Sequence, residues 1–197
     1  MKRCPLTLAL CLLSLWTVAQ VDASDDVQVT AHFSSSLDLR IVSGATVNFV
    51  VATMGEYSGG VASPYNYFSD FTVTASVNYR VAISSTDFSN GAGETLAAGN
   101  FGYRLFDNGT HSAGVNYLLL GAATSPSPMG ILGTTRDIIT PLPAGNAGPP
   151  TANAFRIHFE LGTPAARALS GLPTLLEQSI VPGQYTGTVT LTVSAEP

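Results

Sequence analysis

Residues 185–195 read YTGTVTLTVSA and set the rhythm of the whole chain. Tyr185, Gly187, Val189, Leu191, Val193 and Ala195 hold the odd positions, and Thr186, Thr188, Thr190, Thr192 and Ser194 the even ones. Successive side chains of a strand point to opposite faces, so the stretch predicts one apolar and one hydroxyl-bearing face. Val and Thr are β-branched and fit a pleated surface. Burying Val189, Leu191 and Val193 contributes roughly 1.5–3 kcal/mol each. A one-residue slip would turn the threonine row inward, so the register is strongly specified. Residues 187–194 hold neither charge nor proline, and an unguarded edge of that composition invites pairing with another chain. Either this strand lies between two others, or an edge near it is built to accept a strand.

The same two-residue period extends outward. FTVTASVNYRVAIS places Phe71, Val73, Ala75, Val77, Tyr79, Val81 and Ile83 on one face, as a central core strand that divides only if the chain bends near Ser76. Leu37, Leu39 and Ile41 alternate, as do Val47, Phe49 and Val51 after the Ser43-Gly44 turn, and Phe155, Ile157, Phe159 and Leu161 in FRIHFEL. The Asn108-Gly109 turn predicts a hairpin joining FGYRLF to Val115, Tyr117 and Leu119. Residues 55–70 read as a loop, and Thr163-Pro164 as the start of one short helix. In the Pro- and Gly-rich stretch 121–154 only residues 131–140 suggest a short edge strand. The fold class is all-β: an immunoglobulin-like β-sandwich of about eight antiparallel strands with at most one short helix.

The chain opens with Lys2 and Arg3, an apolar run from Leu6 to Val18, and small-residue sites ending at Ala19 and Ala23. This pattern predicts a signal peptide over residues 1–23, cleaved after Ala19 or Ala23, and one domain over residues 24–197. Its apolar run is short for a membrane span, so no membrane insertion is expected after cleavage. Both cysteines (Cys4, Cys11), the only lysine (Lys2) and the only tryptophan (Trp16) leave with it. Six arginines then face 12 acids. A chain so poor in cations is not suited to nucleic acid, where phosphate neutralisation supplies most of the affinity. The expected location is secreted: periplasmic, extracellular or on the cell surface.

The order SLDLRIVSG, FTVTASVNYRVAIS with its D-F-x-N-G loop, and the closing PGQYTGTVTLTVSA resembles secreted bacterial β-sandwich modules of the WxL-like and spore-coat-U-like (pilin-like) kind. The mature chain differs from them in lacking both tryptophan and cysteine. The resemblance implies a surface or fibre-forming structural protein.

No catalytic constellation emerges, and the chain is not expected to be an enzyme. THSAG around Ser112 has Thr110 where a nucleophile elbow needs glycine, and the α/β context of that elbow is missing. His32, His111 and His158 show no ligand spacing; His32 and His158 fall on polar strand phases, which predicts solvent-facing rings. No cofactor is expected, although Asp87, Asn90 and Glu94 place oxygens in one loop that could suit Ca²⁺ without matching an EF-hand. Tyr57, Tyr65 and Tyr67 share a loop that could present aromatic rings to a glycan. Val27, Val29, Ala31 and Phe33 alternate with polar residues, either as the domain's own first strand or as a segment donated to a neighbouring subunit's sheet. The leading expectation is an exported structural or adhesive protein of the bacterial cell surface, partnered by itself or another surface subunit and assembling by edge-strand pairing. The alternative is a secreted carbohydrate-binding module.

Overall fold

A computed structural model describes residues 35–63 and 65–196. The predicted signal peptide and Val27, Val29, Ala31, His32 and Phe33 lie outside the described residues. Among those described are twelve strands in three sheets, two short α-helices and one 3₁₀ turn at Ala98–Asn100. The domain is all-β with little helix.

The larger sheet runs in the order β1 (Leu37–Ser43), β3 (Phe68–Ala75), β11 (Ala154–Leu161), β7 (Phe101–Asp107) and β9 (Gly130–Ile131), with β2 (Val61–Ala62) pairing the end of β11. The second sheet runs β12 (Val189–Ala195), β4 (Tyr79–Ser85), β10 (Arg136–Pro141) and β8 (Tyr117–Leu119). A small ribbon joins β5 (Phe88–Ser89) to β6 (Thr95–Leu96). One apolar core is shared by the two larger sheets: Phe71, Val73, Phe155 and Ile157 on one side meet Tyr79, Val81, Ile83 and Ile139 on the other. These side chains are essentially removed from water, which is where most of the hydrophobic stabilisation resides.

The alternation of residues 71–83 keeps its phase, but the chain bends at residues 76–78 and the two halves enter opposite sheets. Asn146 stabilises the bend, and Asn78 Oδ1 in turn accepts the Asn146 N–H at 3.0 Å. The closing strand pairs with β4 from Val189↔Ser85 to Ala195↔Tyr79. Val189, Leu191 and Val193 take its inner phase, and the threonines are exposed at 190 and 192.

Four expectations are corrected. The Asn108-Gly109 turn does not close a hairpin: β7 and β8 belong to different sheets. Backbone at residues 108–111 instead bonds to residues 151–154, and a Cβ on Gly109 would run into the Ala152 carbonyl. The proline-rich stretch supplies β10, an interior strand between β4 and β8 rather than an edge. A bulge between Asp137 and Ile139 buries both Ile138 and Ile139, which erased the two-residue signal. Residues 55–70 include helix α1 (Met54–Gly59), closed by a capping box in which Thr53 accepts the Glu56 N–H and Glu56 accepts the Thr53 N–H. With α2 (Pro164–Ser170), capped by Thr163 as predicted, there are two short α-helices rather than one. Finally, His158 is buried rather than solvent-facing, and its Nε2 has no hydrogen-bond partner among the described residues.

Candidate functional site

Gly44 decides where the site forms. It follows β1 with φ +66°, and a Cβ there would collide with the Phe68 carbonyl oxygen. This left-handed residue carries the chain away from β3, and residues 44–51 leave the sheet still extended. Their burial alternates, with Val47, Phe49 and Val51 turned to the core and Asn48 and Val50 to water. Sequence alternation anticipated a strand here. The structure supplies no ladder for it: residues 44–51 make no main-chain hydrogen bond among the described residues.

A second bare segment lies across from the first. Of residues 183–188, Thr186 exchanges two main-chain bonds with Ser89, at 2.9 and 3.0 Å. Gly183, Gln184, Tyr185 and Gly187 make none among the described residues. Gly187 has no side chain to obstruct Phe88, whose ring would lie 2.6 Å from a Cβ at that position.

Between these two lips opens a cleft of about 690 Å³. Phe101 forms its aromatic floor: Phe88 stacks on it at 4.2 Å and Phe49 meets it edge-on at 5.6 Å. Ile157 and Phe159 from β11 and Leu191 from β12 add aliphatic wall. Among the described residues lining it, none is charged. Ile41, Val42, Val50 and Val181 leave exposed apolar surface on and beside the segments that form the cleft. The cleft thus offers apolar walls beside free main-chain donors and acceptors, with hydroxyls such as those of Ser69, Thr186 and Tyr185 among its lining.

The tyrosines expected to act together are divided. Tyr57 on α1 and Tyr67 pack on the core edge, Tyr67 stacking on Phe49 at 4.2 Å, while Tyr65 is 84% exposed. Two of the three side chains expected to suit Ca²⁺, Asp87 and Asn90, turn an oxygen to the backbone. Asp87 Oδ1 accepts the Ala98 N–H at 2.8 Å, and Asn90 Oδ1 accepts the N–H groups of Ala92 and Glu94 at 3.0 and 2.9 Å. Among the described residues no group of three or more His, Cys, Asp or Glu side chains is placed to hold a metal ion. Ser112 stands in an exposed turn whose N–H donates to Asn116 Oδ1, and His111 Nδ1 is engaged with Asn153 Oδ1 at 3.0 Å.

No protein-family model matches the chain, and no curated protein does. A solved structure of a family 123 glycoside hydrolase from Clostridium perfringens, described in connection with glycolipid glycan hydrolysis, is similar at 13% identity with a TM-score of 0.34. The match covers 81% of this chain and 24% of that one, so the present chain spans about a quarter of its relative's length. A likeness this distant carries no functional argument. No described helix is long and apolar enough to cross a membrane.

Proposed function

We propose that this chain is an exported, non-enzymatic structural or adhesive protein of the bacterial cell surface, and that it assembles by receiving an extended strand. The finer fold reading that accompanies this is an immunoglobulin-like sandwich, kin to the WxL-like and spore-coat-U-like modules, with a strand position left open at one margin. One observation carries the proposal: an uncharged apolar cleft is flanked on both sides by extended backbone that lacks ladder partners among the described residues. Strand addition satisfies such backbone with main-chain bonds and fills the cleft with alternate side chains.

The sheet margins support the same reading. β12 is the terminal strand of its sheet and β1 of the other, so the uncharged edge noted in the sequence is not covered by a third strand among the described residues. The rival reading, glycan binding through Tyr57, Tyr65 and Tyr67, retains one freely exposed ring. Electron microscopy and light scattering of the exported protein over a concentration series test the proposal. Filaments or discrete oligomers are expected, and a monomer at every concentration would refute it.

A further inference from the structure

Asparagine followed by glycine occurs twice in the chain, at Asn90-Gly91 after β5 and at Asn108-Gly109 after β7. Glycine carries no side chain to screen its main-chain nitrogen from the carboxamide before it. We propose that Asn108 is a site of covalent modification needing only the chain and water, and that the fold protects Asn90 from the same reaction. Neither pair lines the cleft, so this chemistry stands apart from strand acceptance.

The Gly109 nitrogen gives its proton to solvent hydroxide and attacks Asn108 Cγ. The N–Cγ bond forms, the Cγ–Nδ2 bond breaks, and the side-chain nitrogen leaves as ammonia with a proton taken from water. A second water then opens the five-membered imide. Cleavage between nitrogen and Cγ gives aspartate. Cleavage between nitrogen and the Asn108 main-chain carbonyl carbon gives isoaspartate, with the main chain rerouted through Cβ and Cγ. In sum one water enters and one ammonia leaves, and nothing is oxidised or reduced.

Exposure and hydrogen bonding separate the two pairs. Asn108 is exposed, and neither its carboxamide nor the Gly109 N–H makes a hydrogen bond among the described residues. The main chain on either side is anchored: Asn108 N–H donates to the Ala154 carbonyl at 2.8 Å and Thr110 N–H to the Thr151 carbonyl at 3.1 Å. Because a Cβ on Gly109 would run into the Ala152 carbonyl, the packing demands the very residue that leaves Asn108 open to attack. Asn90 Oδ1, by contrast, accepts the Ala92 N–H at 3.0 Å and the Glu94 N–H at 2.9 Å. Turning its Cγ toward Gly91 breaks both bonds, which slows ring closure roughly 10–100-fold.

The product bears on the fold. Isoaspartate adds a methylene to the main chain just before His111, whose N–H donates to the Ala152 carbonyl at 3.1 Å and whose Nδ1 meets Asn153 Oδ1. It also puts a carboxylate beside Asp107, which holds the Ala113 N–H at 2.9 Å. Aspartate brings the charge without the methylene.

Peptide mapping by mass spectrometry tests this on the exported protein, folded by circular dichroism and held in mildly alkaline buffer over a time course. Conversion at Asn108 is expected at least about tenfold faster than at Asn90, with isoaspartate detected by enzymatic methylation. Asn108→Gln is expected to remove most of the isoaspartate signal. Equal rates at the two positions, or faster conversion at Asn90, would overturn the inference. In concentrated urea the two pairs are expected to react at similar rates. A difference that persists unchanged in urea would show that the local sequence and not the fold sets it, and the inference would fall.

Discussion

The Asn146 side chain stands beside the Tyr79 backbone as a neighbouring strand would. Its Oδ1 accepts the Tyr79 N–H at 3.0 Å, and its Nδ2 donates to the Tyr79 carbonyl at 2.8 Å. Asn146 is fully buried, and its own carbonyl accepts from Asn153 Nδ2 at 3.0 Å. This amide chain pins the proline-rich stretch against the start of β4, so a segment without regular pairing still satisfies its buried polar groups.

Asn146→Ala is expected to leave both Tyr79 main-chain groups unsatisfied, at roughly 1–3 kcal/mol each. Urea unfolding should show a lower midpoint with little change in slope. A midpoint within error of the wild type would show that the two bonds are dispensable.

Asp70 and Arg156 join β3 to β11 through two hydrogen bonds, at 2.7 Å to Nε and 3.0 Å to Nη2. The guanidinium also lies 4.0 Å above the Phe68 ring. The hydrogen bond from Arg156 holds the Asp70 carboxyl below the ordinary 3.8, with a further lowering contribution from Ser43 and partial burial opposing both. A carboxyl depressed in the folded state contributes stability that is complete above about pH 4 and disappears as pH falls through the depressed value. Asp70→Asn should cost about 1–2 kcal/mol at neutral pH, the pair being partly exposed. The difference from wild type should shrink as pH falls below about 4, as read from thermal midpoints.

Gly44→Ala should destabilise by about 2 kcal/mol or more, because it combines a left-handed backbone with a collision at the Phe68 carbonyl. The consequence is local to the first lip. Assembly should therefore fall further than the thermal midpoint alone would lead one to expect, which light scattering on the folded fraction checks.

Burial separates an interior strand of the second sheet from its edge strand. Ile139→Ala, in a fully buried position, should cost about 3–4 kcal/mol. Leu191→Ala, half-buried at the cleft wall, should cost roughly half as much in the monomer. Chemical denaturation of both variants at low protein concentration measures the difference.

Tyr65→Ala should shift stability by no more than about 0.5 kcal/mol, as expected for an exposed ring away from packing. Glycan-array binding by the wild type that disappears in this variant would favour the carbohydrate reading over strand acceptance.

The amino-acid order alone determined the secondary-structure class and most inward-facing residues. Side-chain direction alternates along an extended backbone, so Val189, Leu191 and Val193, or Phe155 and Ile157, declare their shared face by spacing. Thr163-Pro164 likewise announced α2, because capping is local chemistry. Partnership was not legible in this way. Residues 47–51 alternate as faithfully as any strand but find no ladder, since Gly44 turns them off the sheet toward a margin where no described strand offers main-chain partners. Ile138 and Ile139 conceal an interior strand because the bulge beside them breaks the period. Hydrogen-bond partners are chosen by segments far apart in sequence. The cleft, with one lip before α1 and the other just ahead of β12, therefore came into being only when the chain folded.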